Sequence, residues 1–295
     1  MIIRFWGVRG SIPVPGKDTL KYGGNTTCIE VFTAGGDRII IDAGTGIRNL
    51  GQELVKEEFG QGKGIAHMLF THSHWDHIQG FPFFAPIYVG RHNKRGSETK
   101  GVSNKLHIYG SADVASPIEN SLRGQMSGCY FPVSLDDLSA VLTFTNVTNK
   151  SFKIGKTKIS ALPLRHPDGV LGYRIEDEGK VVTIATDCEH PEDGGCDENL
   201  LKLASDVDLL VYDGQYTPEE YEPEKYNINM PPKKGFGHST AEEGVKVAIA
   251  AKAKRLIITH HEPLHDDKML TAMEKKIKSM LPSIAFAREG MEIVI

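Results

Sequence analysis

Long apolar runs are missing from this chain of 295 residues, and so are closely paired cysteines and an excess of charge. No stretch approaches the roughly 20 apolar residues that a membrane-spanning helix needs, so no membrane partner is expected. The four cysteines include no Cys-x-x-Cys pair, which disfavours a thiolate zinc site or a disulfide framework and indicates a reduced, cytoplasmic protein. The net charge of −4 offers no basic field for a large nucleic acid.

The chain does contain many short strands and helices in alternation, without an internal repeat. The N-terminus lacks the pattern of a signal peptide and is expected to form a strand instead. Further strands are predicted near 28–33, 38–42, 67–71, 157–161, 171–176, 180–185, 208–212, 255–259 and 291–295. Four helices are predicted: one that begins at 47, one near 198–204, one that begins after Thr240, and a last one that Pro282 ends. The frequent hairpins favour two mixed sheets with helices outside over one parallel sheet. We expect a single α/β domain over residues 1–295.

A polar loop at 90–105 carries five Lys or Arg residues against one Glu in an otherwise acidic chain. Two interpretations remain open for it. It is either a solvated surface loop or a mobile basic lid over an anionic substrate.

Histidine is the informative residue type, because the chain has twelve and half of them fall in short clusters. The strongest signal is Thr71-His72-Ser73-His74-Trp75-Asp76-His77. His72 and His74 are two residues apart at a strand end, so their side chains point to the same side. Neutral imidazole and carboxylate groups suit zinc, and also manganese or iron. This short segment can therefore supply ligands to two adjacent metal positions.

Three more candidate ligands, His166, Asp187 and His260, each follow an apolar strand where it runs into a loop. Active sites of layered α/β folds gather at such positions. Each residue alone would be more typical of a capping or otherwise satisfied polar group, but together with the motif they predict a metal centre. Phe81, Phe83 and Phe84 follow the motif, and core packing is favoured for them over a place in a pocket wall.

With these residues the chain resembles the metallo-β-lactamase superfamily of metal-dependent hydrolases, from Phe5 to about Asp267. The resemblance implies a four-layer αββα sandwich with two divalent metal ions at one edge, zinc being favoured over manganese or iron. It implies one ion held by His72, His74 and His166, and a second held by Asp76, His77 and His260. Asp187 would bridge the two. Asp42 would support the histidine loop, unless it only forms a turn before glycine.

Gly237-His238-Ser239-Thr240 resembles the His-Ser-Thr motif of the phosphodiesterase branches, which include ribonuclease Z and phosphoribosyl cyclic phosphodiesterase. The resemblance implies that His238 is a catalytic acid and that a carboxylate, here Asp213, orients it. Asp76 is expected to serve catalysis as well as metal binding. His238 also precedes the expected helix N-cap Thr240 by two residues, where free amides favour a phosphate. Simple packing at the helix start is the alternative.

These features predict a hydrolase in which hydroxide on the metal pair cleaves a small phosphodiester, for which a cyclic one is a candidate. The interval from His166 to Asp187 has room for one hairpin but not for the arm with which ribonuclease Z grips tRNA. Four alternatives stay open: a ribonuclease Z-like RNA 3′-end nuclease, a thioester or lactam hydrolase, a di-iron oxidoreductase and a non-catalytic binding protein. The oligomeric state is also open, a homodimer included.

Overall fold

The computed structural model describes residues 1–90, 102–111 and 117–295. Most of the basic loop at 90–105 therefore lies outside the described residues, and both interpretations of it stay predictions. Within the described ranges, no helix is both long and apolar enough to cross a bilayer.

The described residues form fourteen strands and seven α-helices, joined by short 3-10 turns. The strands are β1 (Ile2–Gly7), β2 (Cys28–Phe32), β3 (Arg38–Ile41), β4 (Ile65–Leu69), β5 (Lys105–Gly110), β6 (Val141–Asn146), β7 (Lys150–Ile154), β8 (Thr157–Leu164), β9 (Val170–Asp177), β10 (Lys180–Ala185), β11 (Leu209–Asp213), β12 (Leu256–Thr259), β13 (Ile284–Phe286) and β14 (Glu292–Val294). The helices are α1 (Ile47–Leu54), α2 (Trp75–Ile78), α3 (Ile118–Gln125), α4 (Glu198–Ala204), α5 (Pro218–Tyr221), α6 (Ala241–Ala250) and α7 (Asp267–Lys278).

The strands build two mixed sheets of seven, in the orders β14-β1-β2-β3-β4-β5-β6 and β13-β12-β11-β10-β9-β8-β7. Strands β3 to β6 are parallel to one another, as are β10 to β13. The inner faces of the two sheets share one apolar core, with Ile39 and Ile41 of one sheet clustered with Ile184 and Val211 of the other. Each sheet also packs against its helices through one further apolar cluster. The predicted αββα sandwich is therefore confirmed.

The elements that the sequence did not predict are β5, β6, β7, β13, α2, α3 and α5. The edge strand β6 buries no residue fully, and only its half-buried Leu142 and Phe144 pack on the core, so its apolar face is short. Strand β13 has only three residues. Pairing within the sheets decides these strands more than their own sequence does.

A buried carboxylate ties the last helix to the end of the second sheet. Glu274 of α7 accepts hydrogen bonds from Tyr22 Oη at 2.7 Å, Lys278 Nζ at 2.9 Å and Arg288 Nη2 at 2.9 Å. Burial alone would raise the pKa of Glu274, but these donors lower it to about 2. The folded protein therefore gains stability from the ionised carboxylate above the ordinary pKa of 4.5, and loses that gain as the pH falls towards 2.

Replacement of this carboxylate should lower the free energy of unfolding. Glu274→Gln should cost roughly 1–3 kcal/mol at pH 7, because the three donors lose the charged acceptor that they share in the buried position. The difference in the free energy of unfolding between parent and variant should become smaller below pH 4.5, because the ionised carboxylate stabilises the parent less there. Urea unfolding at pH 7 and pH 3.5 measures both effects. Glu53→Gln, at an exposed pair with Lys56, is the control and should cost under about 0.5 kcal/mol. A Glu274→Gln cost that is equal at both pH values would contradict the role of the charge.

Candidate metal centre and active site

The candidate site lies at one edge of the sandwich, where strands of both sheets end. Asp42 follows β3, and His166, Asp187 and His260 follow β8, β10 and β12. Three of these turning points, Asp42, Asp187 and His260, have positive φ angles of 60°, 55° and 62°. Non-glycine residues adopt this conformation at a cost, and such strain concentrates at functional sites. The predicted gathering of strand ends is therefore present, with a strained backbone at three of the four positions.

Three histidine rings form the first donor cluster. The ring centroids of His72, His74 and His166 lie 4.5 to 4.9 Å apart, and one nitrogen of each ring lies within 4.8 Å of the others. Burial lowers the pKa of His72 well below its usual value and that of His166 to about 4. These two imidazoles are therefore neutral at pH 7, which is the form that binds a metal ion.

The second donor cluster is fully buried and consists of Asp76, His77, Asp187 and His260. His260 Nε2 lies 3.1 Å from Asp76 Oδ2 and 3.2 Å from Asp187 Oδ1. His77 Nε2 lies 3.2 Å from Asp187 Oδ2. Asp187 also reaches the first cluster, since its Oδ1 is 3.8 Å from His72 Nε2. Asp187 therefore lies within 4 Å of histidines in both clusters, and the rings of His72 and His77 also meet across them, with centroids 4.3 Å apart.

The two buried carboxylates of the second cluster need positive charge beside them. Burial alone would lower the pKa of His77 and His260, but Asp187 and Asp76 raise it well above the usual value for His77 and to about 9 for His260. The same imidazoliums lower the pKa of both carboxyls, against the effect of burial. Protons on the two histidines thus balance the carboxylates, and a divalent cation bound there would take the place of those protons.

Unsatisfied donor atoms show whether metal ions fit. His72 Nε2, both ring nitrogens of His166 and Asp187 Oδ2 are buried without a hydrogen-bond partner among the described residues. Buried polar atoms in folded proteins are nearly always paired, so unpaired atoms in both donor clusters indicate that a ligand belongs between them. Their nitrogen and oxygen chemistry suits zinc, manganese or iron. The residues present therefore fit the implied ions.

Asp42 supports the histidine loop rather than only forming a turn. Its carboxylate accepts hydrogen bonds from the backbone amide of Thr71, from Thr71 Oγ1 and from His77 Nδ1, all at 2.8 Å. The bond to Nδ1 leaves Nε2 of His77 for the cluster, which is the usual arrangement around metal-ligating histidines.

His238 and Asp213 lie beside the second cluster. His238 Nδ1 donates to Asp213 Oδ2 at 3.1 Å, and its ring stacks on that of His260 with centroids 5.0 Å apart. Asp213 also accepts from the backbone amides of Asp187 and Ser239 at 3.0 Å. Asp187, Asp213, His238 and His260 could themselves form a third metal-binding group by distance alone. The predicted acid and its partner are therefore in contact, and a ligand role for His238 is the competing possibility.

The loop that carries His238 is fixed by a residue that the sequence did not reveal. Glu189 accepts hydrogen bonds from Tyr221 Oη and the Gly235 amide at 2.6 Å, and from the Gly237 amide at 3.2 Å. Gly237 has a φ of +88°, and a Cβ there would lie 2.3 Å from the ring of His166. The turn before His238 thus requires glycine both for its conformation and for its contact with the first cluster.

Two further residues around the second cluster were also missed. Gln215 Oε1 accepts from His260 Nδ1 at 3.0 Å, and the Ser11 amide donates to Asp76 Oδ2 at 2.7 Å. Gln215 lies two residues past the end of β11, so its position at the shared edge was a signal that could have identified it. Ser11 lies in an irregular loop far from the motif in sequence, and no pattern marks it.

Comparison with known proteins extends the resemblance seen in the sequence. The Beta-lactamase superfamily domain matches residues 37–261. Ribonuclease BN of Cronobacter sakazakii is 25% identical over 300 residues, which cover 87% of this chain and 89% of that protein. At 18% identity, the short form of human tRNase Z superposes with a TM-score of 0.65, over 100% of this chain and 99% of that one.

A zinc-bound structure shares the fold as well. PqqB from Methylobacterium extorquens superposes with a TM-score of 0.70 at 14% identity, over the full length of both chains. Likeness at such low identity concerns the fold alone. The family match over most of the chain, together with the histidine and carboxylate clusters at the sheet edge, supports one conclusion. The chain belongs to the metallo-β-lactamase superfamily of metal-dependent hydrolases.

Proposed function

We propose that this protein hydrolyses small phosphodiesters with two divalent metal ions. His72, His74 and His166 would hold one ion, Asp76, His77 and His260 the other, and Asp187 both. The donor set favours zinc, with manganese or iron as alternatives. Bound cations of this kind supply Lewis acidity and neutralise charge on a phosphoryl group. The observation that carries the proposal is the contact of His238 Nδ1 with Asp213 Oδ2, at 3.1 Å, directly beside the donor clusters.

His238 would act as the general acid. Asp213 accepts a hydrogen bond from Nδ1, which fixes the ring orientation and stabilises the protonated imidazole. Nε2 then carries the proton that the leaving alkoxide needs. A phosphodiester with an alkoxide leaving group requires such a proton, whereas the thiolate of a thioester departs without one. This acid therefore favours phosphodiesters over thioesters.

Two features favour a small substrate. The interval between His166 and Asp187 is filled by the hairpin of β9 and β10, and both strands pair within the second sheet. A cavity of about 530 Å³ opens beside His166, with Lys234 and Arg165 in its wall. A volume of this order suits a small molecule.

A substrate panel tests the proposal. Zinc-loaded and manganese-loaded protein should hydrolyse bis-p-nitrophenyl phosphate and at least one cyclic nucleotide or cyclic phosphosugar faster than RNA ends or a thioester. A protein with two bound metal equivalents that cleaves no phosphodiester would contradict it. The similarity to ribonuclease BN favours RNA 3′-end cleavage as the second candidate. Faster cleavage of RNA 3′ ends than of every small diester would support that candidate instead.

Glu189 is expected to act as a positioning residue for His238. Glu189→Ala should lower kcat by roughly 10- to 100-fold for an alkyl phosphodiester, since small displacements of a catalytic group are costly. A p-nitrophenyl ester should be affected less, because its leaving group needs no proton. Steady-state kinetics on both esters, with metal analysis, measures this. Glu192→Ala, at an exposed carboxylate in the same cavity wall, is the matched control. Equal loss on both esters, or loss of metal, would assign Glu189 another role.

A further inference from the structure

A second cavity, of about 550 Å³, adjoins the histidine motif. Its described walls come from α2, α3, the 3-10 turn Phe81–Phe83 and residues 130 and 131. Trp75, Phe83, Tyr130 and Phe131 line it together with serine and glutamine side chains. None of its described lining residues carries a charge. This cavity therefore differs in chemistry from the one beside His166, which has lysine and arginine in its wall.

The aromatic side chains around this cavity are unusually exposed. Trp75 is 72% exposed, Phe83 58% and Tyr130 76%, whereas the neighbouring Phe81 and Phe84 are fully buried. The expectation that Phe83 packs in the core is thus wrong, because the turn directs it outward while its two neighbours pack inward. Large aromatic rings stabilise the folded state when they are buried. The exposed parts of the rings around this cavity contribute little to stability until a ligand covers them.

The position of Trp75 connects this cavity to the metal centre. Trp75 lies between His74 and Asp76, which belong to the two donor clusters. Ser73, on the other side of His74, also lines the cavity. Consecutive Cα atoms are about 3.8 Å apart, so the backbone of Trp75 lies one residue from a member of each cluster. A substrate with its phosphate at the metal centre can therefore place an adjoining group in this cavity.

We propose that this cavity binds the nucleobase of a nucleotide-type phosphodiester, a proposal that rests on the phosphodiesterase function above. Stacking on an aromatic side chain contributes about 1–3 kcal/mol per base. The uncharged wall suits a neutral ring and not a phosphate. Ser73, Ser121 and Gln79 provide polar groups for the edge of a base, while Trp75 and Phe83 provide flat apolar surface. The nucleobase would then lie in this cavity and the phosphate at the metal centre.

Tryptophan fluorescence tests binding without turnover. The chain has two tryptophans, Trp75 and Trp6, and Trp6 lies on the first sheet, where it donates a hydrogen bond to Glu30. In a Trp6→Phe variant, AMP should quench the remaining emission of Trp75, and ribose 5-phosphate should not. By calorimetry, Trp75→Leu should weaken AMP binding by about 5- to 150-fold, the equivalent of one stacked base. Phe83→Leu, farther from the metal ligands, should weaken it in the same direction. Ile249→Ala, at an exposed residue of α6, is the control.

Turnover of two esters with the same leaving group tests the nucleobase subsite separately from the proposed phosphodiesterase function. The parent should prefer thymidine 5′-p-nitrophenyl phosphate over methyl p-nitrophenyl phosphate in kcat/KM, and Trp75→Leu should reduce that preference. Hydrolysis of both esters with equal kcat/KM, without quenching by AMP, would overturn the subsite and leave the phosphodiesterase function intact. Quenching by AMP in a protein that cleaves neither ester would support the subsite and overturn the function. Phenyl phosphate binding as tightly as AMP would overturn the nucleobase assignment.

Discussion

His238→Ala is expected to slow hydrolysis of an alkyl phosphodiester by roughly 10²–10⁴-fold while the protein keeps both metal ions. The side chain would donate a proton to the leaving alkoxide, and in the variant water must replace it. Asp213→Asn should give a smaller loss, because the ring keeps a hydrogen-bond acceptor but loses the charge that stabilises its protonated form. Steady-state kinetics together with metal analysis of the purified variants measures these effects.

The leaving group provides the control for His238. A p-nitrophenolate departs without a proton, so His238→Ala should slow bis-p-nitrophenyl phosphate hydrolysis much less than that of the alkyl ester. His238 also lies within reach of a group formed by Asp187, Asp213 and His260. If the variant instead loses a metal equivalent and slows equally on both esters, His238 is a ligand and the acid must be sought elsewhere.

Asp187→Ala is expected to lower the affinity for metal by more than about 100-fold. Loss of a supporting residue around a metal site typically costs 10- to 100-fold, and Asp187 is proposed to contact the ions directly. Its carboxylate oxygens lie 3.2 Å from nitrogens of His77 and His260, and its Oδ1 lies 3.8 Å from His72 Nε2. Its removal also leaves two buried histidines without their main countercharge. Metal content after dialysis against a weak chelator, and the activity that remains, should both fall.

Asp206→Asn is the matched control for Asp187→Ala. Asp206 is an exposed aspartate that also has a positive φ, of 53°, and it lies at the opposite end of β11 from the site. Asparagine tolerates this conformation, so the control should keep full metal content and activity. Two metal equivalents in Asp187→Ala after the same dialysis would show that Asp187 does not bridge the ions.

The sequence predicted the gathering of the proposed ligands for a definite physical reason. Strands that run parallel within a layered sandwich end at the same edge, so His166, Asp187 and His260 meet there although they are far apart in the chain. The spacing of His72 and His74 placed both rings on one side of a strand end. Apolar runs bounded by turns were enough to predict the strands that carry these residues, but not the largely exposed edge strand β6.

Only the tertiary structure could show how the supporting groups are placed. Three supporting residues lie in loops beside the site, namely Gln215, Glu189 and Ser11. The path of a loop depends on packing and not on sequence periodicity. The exposure of Trp75 and Phe83 around one cavity was equally hidden, because a sequence does not show which apolar side chains the fold leaves uncovered.

Local patterns in the sequence thus determined the strand ends, the histidine motif and the family, since these depend on residues that are close together in the chain. The sharing of Asp187 between two clusters, the pairing of His238 with Asp213 and the two cavities depend on how the sheets pack against each other. Contacts between residues that are distant in sequence exist only once the chain has folded, and for that reason the structure alone decided them.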